Sequence, residues 1–184
     1  MLEKLRSHKE VNHRVRIYSK VSKNKIQLRN GYILGFSDNL LLLNETDDFR
    51  LAGYAIIRID QIKKVRFNKG HKYFDKMMRW EKVIEKVGIK YQVDLDDWHS
   101  VFKSLKTLGL NVITECEAED IDTFTIGPIT KAGKKYVYIT DFDIEGFFDD
   151  SPTSIDYESI TRVAFDTEYL NIFSKYTRQR KTGK

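Results

Sequence analysis

The stretch Gly31-Tyr32-Ile33-Leu34-Gly35-Phe36-Ser37-Asp38-Asn39-Leu40-Leu41-Leu42-Leu43 has an echo in the second half of the chain. Gly31-x-Ile33 stands ten residues before Leu41-x-Leu43, and Gly127-x-Ile129 stands ten residues before Val137-x-Ile139. Each copy closes on Ile-x-x-Val-x-Phe: Ile62, Val65 and Phe67 in the first, Ile160, Val163 and Phe165 in the second. Matching glycines and apolar positions imply matching turns and matching buried faces, so two small β units are expected.

Outward from that stretch, Val15-Arg16-Ile17-Tyr18 alternates as a strand, and Ile26-x-Leu28 begins the next. Asn30-Gly31 lies inside a segment that resumes as Tyr32-Ile33-Leu34, which predicts a bulge or sharp bend there as readily as a hairpin. Ser37-Asp38-Asn39 is the better turn. The unbroken run Leu40–Leu43 suits a strand covered on both faces or a curved barrel strand. Tyr54–Ile59 and Ile62–Phe67 supply two more strands, and Leu2 to Lys9 a short leading helix.

The centre changes period. Tyr73, Met77, Trp80, Ile84 and Val87 recur at spacings of four and three, which predicts one buried helix face ended by Gly88. Ile89, Tyr91, Val93 and Leu95 alternate as a strand. A second helix, capped by Asp94 or Asp96, carries Trp98, Val101, Phe102, Leu105 and Leu108 as its apolar stripe. The second unit then runs through Val112–Cys116, Phe124–Ile129, Tyr136–Thr140, Ser154–Tyr157 and Ile160–Phe165. Tyr169, Leu170, Ile172 and Phe173 are expected to bury against the helices or the first unit.

The 184 residues are 41% hydrophobic and 32% charged, the balance of a folded globular protein. The first residues alternate leucine with charge, and no run reaches bilayer length, so the expectation is a cytoplasmic protein that does not engage a membrane. Cys116 is the only cysteine, which leaves no intrachain disulfide and no cysteine-based zinc site. The net charge of +5 is unevenly spread. Residues 1–91 carry 21 Lys+Arg against 10 Asp+Glu, and residues 92–184 carry 11 against 17. Opposite charge on two units implies either a division of labour or mutual attraction, within one chain or between chains.

A short helix and five short strands with a strongly bent second strand resemble the Sm-like barrel, a variety of the small SH3-like β-barrel. The likeness covers residues 2–67 of the first unit. Phe36-Ser37-Asp38-Asn39-Leu40-Leu41-Leu42 is similar to the family's aspartate followed by Asn-Leu-x-Leu, and Ile57-Arg58-Ile59-Asp60-Gln61-Ile62 to its Arg-Gly before a strand. The family separates the aspartate from the asparagine by several residues, whereas Asp38 and Asn39 are adjacent, and Ile59 stands in the place of the glycine. The second unit keeps the strand spacing without these loop residues. The implied architecture is α+β and mainly β: a basic Sm-like barrel with its helix over 1–68, a helix-strand-helix connector over 69–109, an acidic barrel over 110–176 and a basic disordered tail over 177–184.

Lys and Arg neutralise phosphates, and aromatic rings offer stacking surfaces to single-stranded bases. The candidate nucleic-acid residues are Arg14, Arg16, Lys20, Lys23, Lys25, Arg29, Asn39, Arg58, Lys63, Lys64 and Arg66, with Tyr18, Tyr32 or Phe36 as stacking platforms. Against this stands a solvated basic face, or a surface that docks the acidic unit. Asp141-Phe142-Asp143-Ile144-Glu145-Gly146 copies the start of a calcium loop, but Pro152 occupies the position of the closing glutamate, so an acidic hairpin without metal is expected. Cys116 between Glu115 and Glu117 reads as a structural thiol. His8, His13, His71 and His99 are scattered, and Asp60, Gln61 and Lys63 are a fragment too short to define a nuclease core. No nucleophile, base and orienter assemble. The expectation is a non-enzymatic binding module without cofactor that contacts RNA or another polyanion through the basic barrel. The alternative is a protein-interaction or assembly factor, or a homo-oligomer, built on barrel edges and the opposite charge of the two barrels.

Overall fold

Alternation from Arg14 to Lys20 puts Val15 and Ile17 on one side and Arg16 and Tyr18 on the other, and this segment is the first strand of a computed structural model that describes residues 1–118 and 121–180. The chain runs α1 (Leu2–Glu10), β1 (Arg14–Lys20), β2 (Ile26–Phe36), β3 (Leu40–Asp47), β4 (Arg50–Arg58) and β5 (Ile62–Arg66). Two helices follow, α2 (Lys69–Trp80) and α3 (Trp98–Thr107), with a short 3-10 turn at Ile84–Lys86 between them. Strands β6 (Asn111–Ala118), β7 (Ile121–Ala132), β8 (Tyr136–Ile139), β9 (Thr153–Asp156) and β10 (Arg162–Phe165) and helix α4 (Glu168–Phe173) complete it. The protein is mainly β, and no helix among the described residues is long and apolar enough to cross a membrane.

The ten strands among the described residues join one antiparallel sheet in the order β5-β1-β2-β3-β4-β10-β6-β7-β8-β9. The sheet is open, and its pairing does not delineate the two closed barrels expected from the spacing. The first five strands and the last five have the same internal order, but β4 does not return to β5. It pairs instead with β10, Tyr54 opposite Phe165 and Ile57 opposite Arg162. β5 and β9 are left as the sheet's two edges.

The glycines that open each unit lie where a neighbouring strand crosses closely. A Cβ on Gly31 would stand 2.5 Å from the Asn44 carbonyl oxygen, and one on Gly127 would stand 2.0 Å from that of Thr140. Neither site has room for a side chain. The bulge comes after Gly31 rather than at it: register shifts between Ile33 and Gly35 against β3, and between Ile129 and Lys131 against β8. Ser37-Asp38-Asn39 is the turn predicted, with the Ser37 hydroxyl accepting from the Asn39 and Leu40 N–H groups.

The Leu40–Leu43 run is buried on both faces. Leu41 and Leu43 join Leu5, Val15, Ile17, Ile57 and Val65 in one core, while Leu40 and Leu42 join Ile56, Phe102, Val112, Val137 and Phe165 in a second. α1 packs on β2 and α3 on β7, so the second helix of the predicted connector serves a core shared by both halves of the chain. The Asp97 side chain caps it by accepting from the Ser100 N–H at 2.7 Å, in place of Asp94 or Asp96.

Four other expectations are corrected. The first connector helix ends at Trp80, and its inward residues include Asp75 and Met78, while Tyr73 and Trp80 face solvent. Tyr91, Val93 and Leu95 do pack on the second core, but no strand forms over 89–95. In α4 only Leu170 is buried; it packs with Ile113, Ile126 and Phe142 of the second unit, and Tyr169 and Ile172 are exposed. Of the predicted tail, residues 181–184 lie outside the described residues. Residues 177–180 are docked: the Arg178 N–H donates to the Gly146 carbonyl at 2.7 Å, and Arg180 pairs with Asp143 at 2.6 Å.

Charge locks the seam between the two halves of the sheet. Arg29 on β2 lies 3.6 Å from Glu45 on β3 and 3.0 Å from Glu115 on β6, and Arg162 on β10 closes the square onto Glu45 and, at 2.7 Å, onto Glu115. The four side chains are between 11% and 21% exposed, so water screens them weakly. Burial pushes the Arg29 guanidinium below its ordinary pKa against the pull of the carboxylates, whereas Arg162, buried as well, is held above its own by Glu45 and Glu115. Beside the square, Lys25 reaches Glu117 at 2.9 Å and Gln27 donates to the same carboxylate. Removing one member leaves an uncompensated buried charge, so Glu45→Ala or Arg162→Ala is expected to cost about 3 kcal/mol. The double variant should cost clearly less than the sum, because the Arg29–Glu115 pair stays neutral, and urea denaturation in a double-mutant cycle measures the difference.

Candidate functional site

The eleven candidate residues separate into four groups. Arg29 and Lys25 belong to the seam and are paired with carboxylates of the second unit. Arg14 is 6% exposed: its Nε donates to Thr46 Oγ1 at 2.8 Å, its guanidinium lies 4.0 Å over the Phe74 ring, and its backbone N–H donates to Asp75 at 3.1 Å. It reaches only the wall of a cavity that it shares with Arg16, Arg66, His71 and two carboxylates, Asp47 and Asp48. Tyr32 is wholly buried, which removes it as a stacking platform, and Phe36 is half-buried against the first core. The sequence could not reveal either fate, since both depend on which face of the sheet α1 and α2 cover.

Asn39 and Arg58 meet at a cavity of about 320 Å³ between the units, floored by Leu40, Trp98 and Tyr157. Its rim holds Asp38, Asp60, Asp97 and Glu158 against Arg58 and Lys134. Arg58 is already engaged, donating to both Asp60 oxygens at 3.0 and 2.8 Å and to the Glu158 carbonyl at 3.0 Å. That pairing holds the Asp60 carboxyl below its usual range and Arg58 above its own. A phosphate entering here would meet more carboxylate than free cation, so the arrangement disfavours it. Tyr157 donates to the Gly133 carbonyl at 2.9 Å, and burial, with Asp97 nearby, pushes its hydroxyl up to about 12.

The remaining group, Arg16, Lys20, Lys23, Lys63, Lys64 and Arg66, lies on β1, the turn after it and β5. Register sets Arg16 opposite Arg66 and Tyr18 opposite Lys64, and the two-residue period adds Lys20 to the same outer face. Lys64 Nζ stands 5.8 Å from the centre of the Tyr18 ring, and Arg66 Nη1 lies 3.5 Å from its hydroxyl. The hydrogen bond from Arg66 is the main cause that holds the Tyr18 pKa below its ordinary value. Arg16 keeps its geometry by donating to Asn30 Oδ1 at 2.9 Å. Among the described residues none of these six cations has a carboxylate within ion-pair distance.

α2 continues this surface. It starts three residues after Arg66, and Asn68 caps it by accepting from the His71 N–H. Burial first, then the charges of Arg16, Arg66 and Arg14, lower the His71 pKa, which places its ring among those guanidiniums. The exposed side of α2 carries Lys69, Lys72, Lys76 and Arg79 beside Tyr73 and Trp80. The spacing of these cations is visible in the sequence, but the aromatics between them read as the buried stripe.

Other candidates stay apart from this surface. Cys116 is buried in the second core, with the Ser159 hydroxyl 3.4 Å from its sulfur. Asp143 accepts the Glu145 and Phe147 N–H groups and pairs with Arg180, so its oxygens are engaged within the loop. No group of three or more His, Cys, Asp or Glu among the described residues is placed to hold a metal ion. No protein-family model matches the chain, and no curated protein or solved structure matches it.

Asp75 sits under the cationic surface, 5% exposed, and burial raises its carboxyl from 3.8 to about 6 against the Arg14 N–H and the charges of Arg79 and Arg14. Between those pH values the folded chain holds the proton that the unfolded chain releases, so stability falls as pH rises through that window. Asp75→Asn keeps the acceptor for the Arg14 N–H and removes the buried charge. The variant is expected to be more stable than the native chain at neutral pH by about 2 kcal/mol, with the gap closing towards pH 4. Thermal unfolding across that range measures it.

Proposed function

We propose that this protein is a non-enzymatic binding module that holds single-stranded RNA, or a polyanion like it, on the outer face of β1 and β5. One observation carries the reading: Lys64 and Arg66 lie against the half-buried Tyr18, Lys20 shares its face of the strand, and none of the three has a paired carboxylate among the described residues, while the seam residues Arg29, Lys25 and Arg162 are all engaged. Free cations release condensed counterions when a phosphate chain replaces them, and a tyrosine face between them accepts an unpaired base. A short helix followed by five strands in the order β5-β1-β2-β3-β4 supports an Sm-like architecture for the first unit, and the same order of β10-β6-β7-β8-β9 supports a duplicated framework. The acid-rimmed cavity at Asn39 and Arg58 argues against the family's loop residues as the contact and for the strand face. Titration of labelled oligouridylate by fluorescence anisotropy is expected to show affinity that falls with salt at a log–log slope of about −2 or steeper, since the three phosphate contacts of the strand face supply ~0.7 each. Lys64→Glu with Arg66→Glu should weaken binding about tenfold or more. Absence of binding at low salt would remove the reading.

A second reading, assembly through strand edges, is favoured by the pairing of β4 with β10. The chain covers one strand edge with another at the seam and leaves β5 and β9 each paired on one side only. β5 carries Lys63, Lys64 and Arg66, and Asp149, Asp150 and Asp156 lie on or just before β9, so the two edges are opposite in charge. Light scattering after size exclusion is expected to show an oligomer that dissociates as salt rises; a monomer at every concentration and salt would exclude this reading.

A further inference from the structure

Tyr73 and Trp80 are 57% and 66% exposed on a helix whose other face packs on the sheet. Their rings stand 6.3 Å apart and nearly perpendicular, seven residues and about two turns from one to the other. At 100° per residue Lys69, Tyr73, Lys76 and Trp80 fall within an arc of about 60°, and Lys72 and Arg79 flank it on one side. The helix has a single carboxylate, Asp75, and it is buried, so this face carries four cations without an acid until Glu81 at the C-cap. None of the four has an ion-pair partner among the described residues. Exposed aromatic surface rimmed by unpaired charge marks a contact surface rather than a solvated helix.

The chemistry of that face selects its occupant. A helix that lies in a lipid interface segregates a broad apolar side from its cations, whereas the outward residues here are two rings interleaved with lysines, with Met77 half-buried. The cations also run on from the strand face, since Arg16, Arg66 and His71 line one cavity with Asn68 at the start of α2, with Asp47 and Asp48 on its rim. We propose that α2 is the second stretch of the polyanion track, with Lys69, Lys72, Lys76 and Arg79 holding phosphates while Tyr73 and Trp80 stack unpaired bases. The inference rests on the proposed function and adds to it a base-contacting helix of about 18 Å.

Tryptophan emission reads this directly, because Trp98 is 8% exposed in the core and Trp80 is the solvent-facing fluorophore. Oligouridylate is expected to quench the emission saturably, and the quenching should be absent in Trp80→Phe. Tyr73→Ala with Trp80→Ala should weaken binding about tenfold with the salt slope unchanged, because stacking releases no counterions. Lys72→Gln with Lys76→Gln should instead reduce the slope by about 1.4, at ~0.7 per contact. Binding that keeps its affinity and slope in all α2 variants but fails in Lys64→Glu with Arg66→Glu would overturn this inference and leave the proposed function standing. No binding to any variant or to the native chain would overturn both. A blue shift of Trp80 emission with phosphatidylglycerol vesicles and no quenching by oligouridylate would overturn it in favour of a lipid surface.

Discussion

Arg29, Glu45, Glu115 and Arg162 form a closed square of alternating charge across the β4–β10 seam, and the remaining features of the molecule follow from it. Each half of the chain supplies one cation and one anion, so neither half is electrically complete at this position by itself. Buried charges of this kind tolerate little displacement, because a carboxylate moved from its guanidinium keeps the desolvation cost and loses the attraction. The square therefore specifies register: β4 must meet β10 with Ile57 opposite Arg162 for Arg162 to reach Glu45 and Glu115 together. Once that seam is formed, the sheet cannot close within either unit, and β5 and β9 become its edges.

The same square divides the cations of the first half into two populations. Lys25 and Arg29 face the acidic strands of the second unit and are neutralised there, while the cations of β1 other than the buried Arg14, with those of β5 and α2, face away from it. The charge division between the halves is thus partly an internal attraction and partly a surface left over. The leftover surface is the one with aromatic rings in it: Tyr18 on the strand face, Tyr73 and Trp80 on the helix. Desolvated pairs and free cations have the same composition and opposite functional meaning.

Much of the fold was legible. The alternation of β1, the two-sided burial of Leu40–Leu43, the turn at Ser37-Asp38-Asn39 and the tight glycines at 31 and 127 are local consequences of side-chain period and sterics. The errors fall where period alone is ambiguous. In α2 the sets Tyr73, Met77, Trp80 and Phe74, Met78 both satisfy helical spacing, and only packing against β1 selects the second. Ile89 to Leu95 alternates as predicted, and Tyr91, Val93 and Leu95 pack on the core, but alternation reports burial and does not supply a strand partner.

The sequence by itself determined the ten strands of the sheet, their bends and the alternation of their apolar faces, since these depend on residues within a few positions of one another. It also determined that the first half would be basic. The tertiary structure decided which of those basic residues stay free, because the partners that neutralise them are distant in the chain: Glu115 is 86 residues from Arg29, and Arg162 is 117 from Glu45. No local pattern encodes a contact of that range. It arises when apolar burial brings β4 and β10 together and the low dielectric of the seam makes each unpaired charge too costly to leave alone.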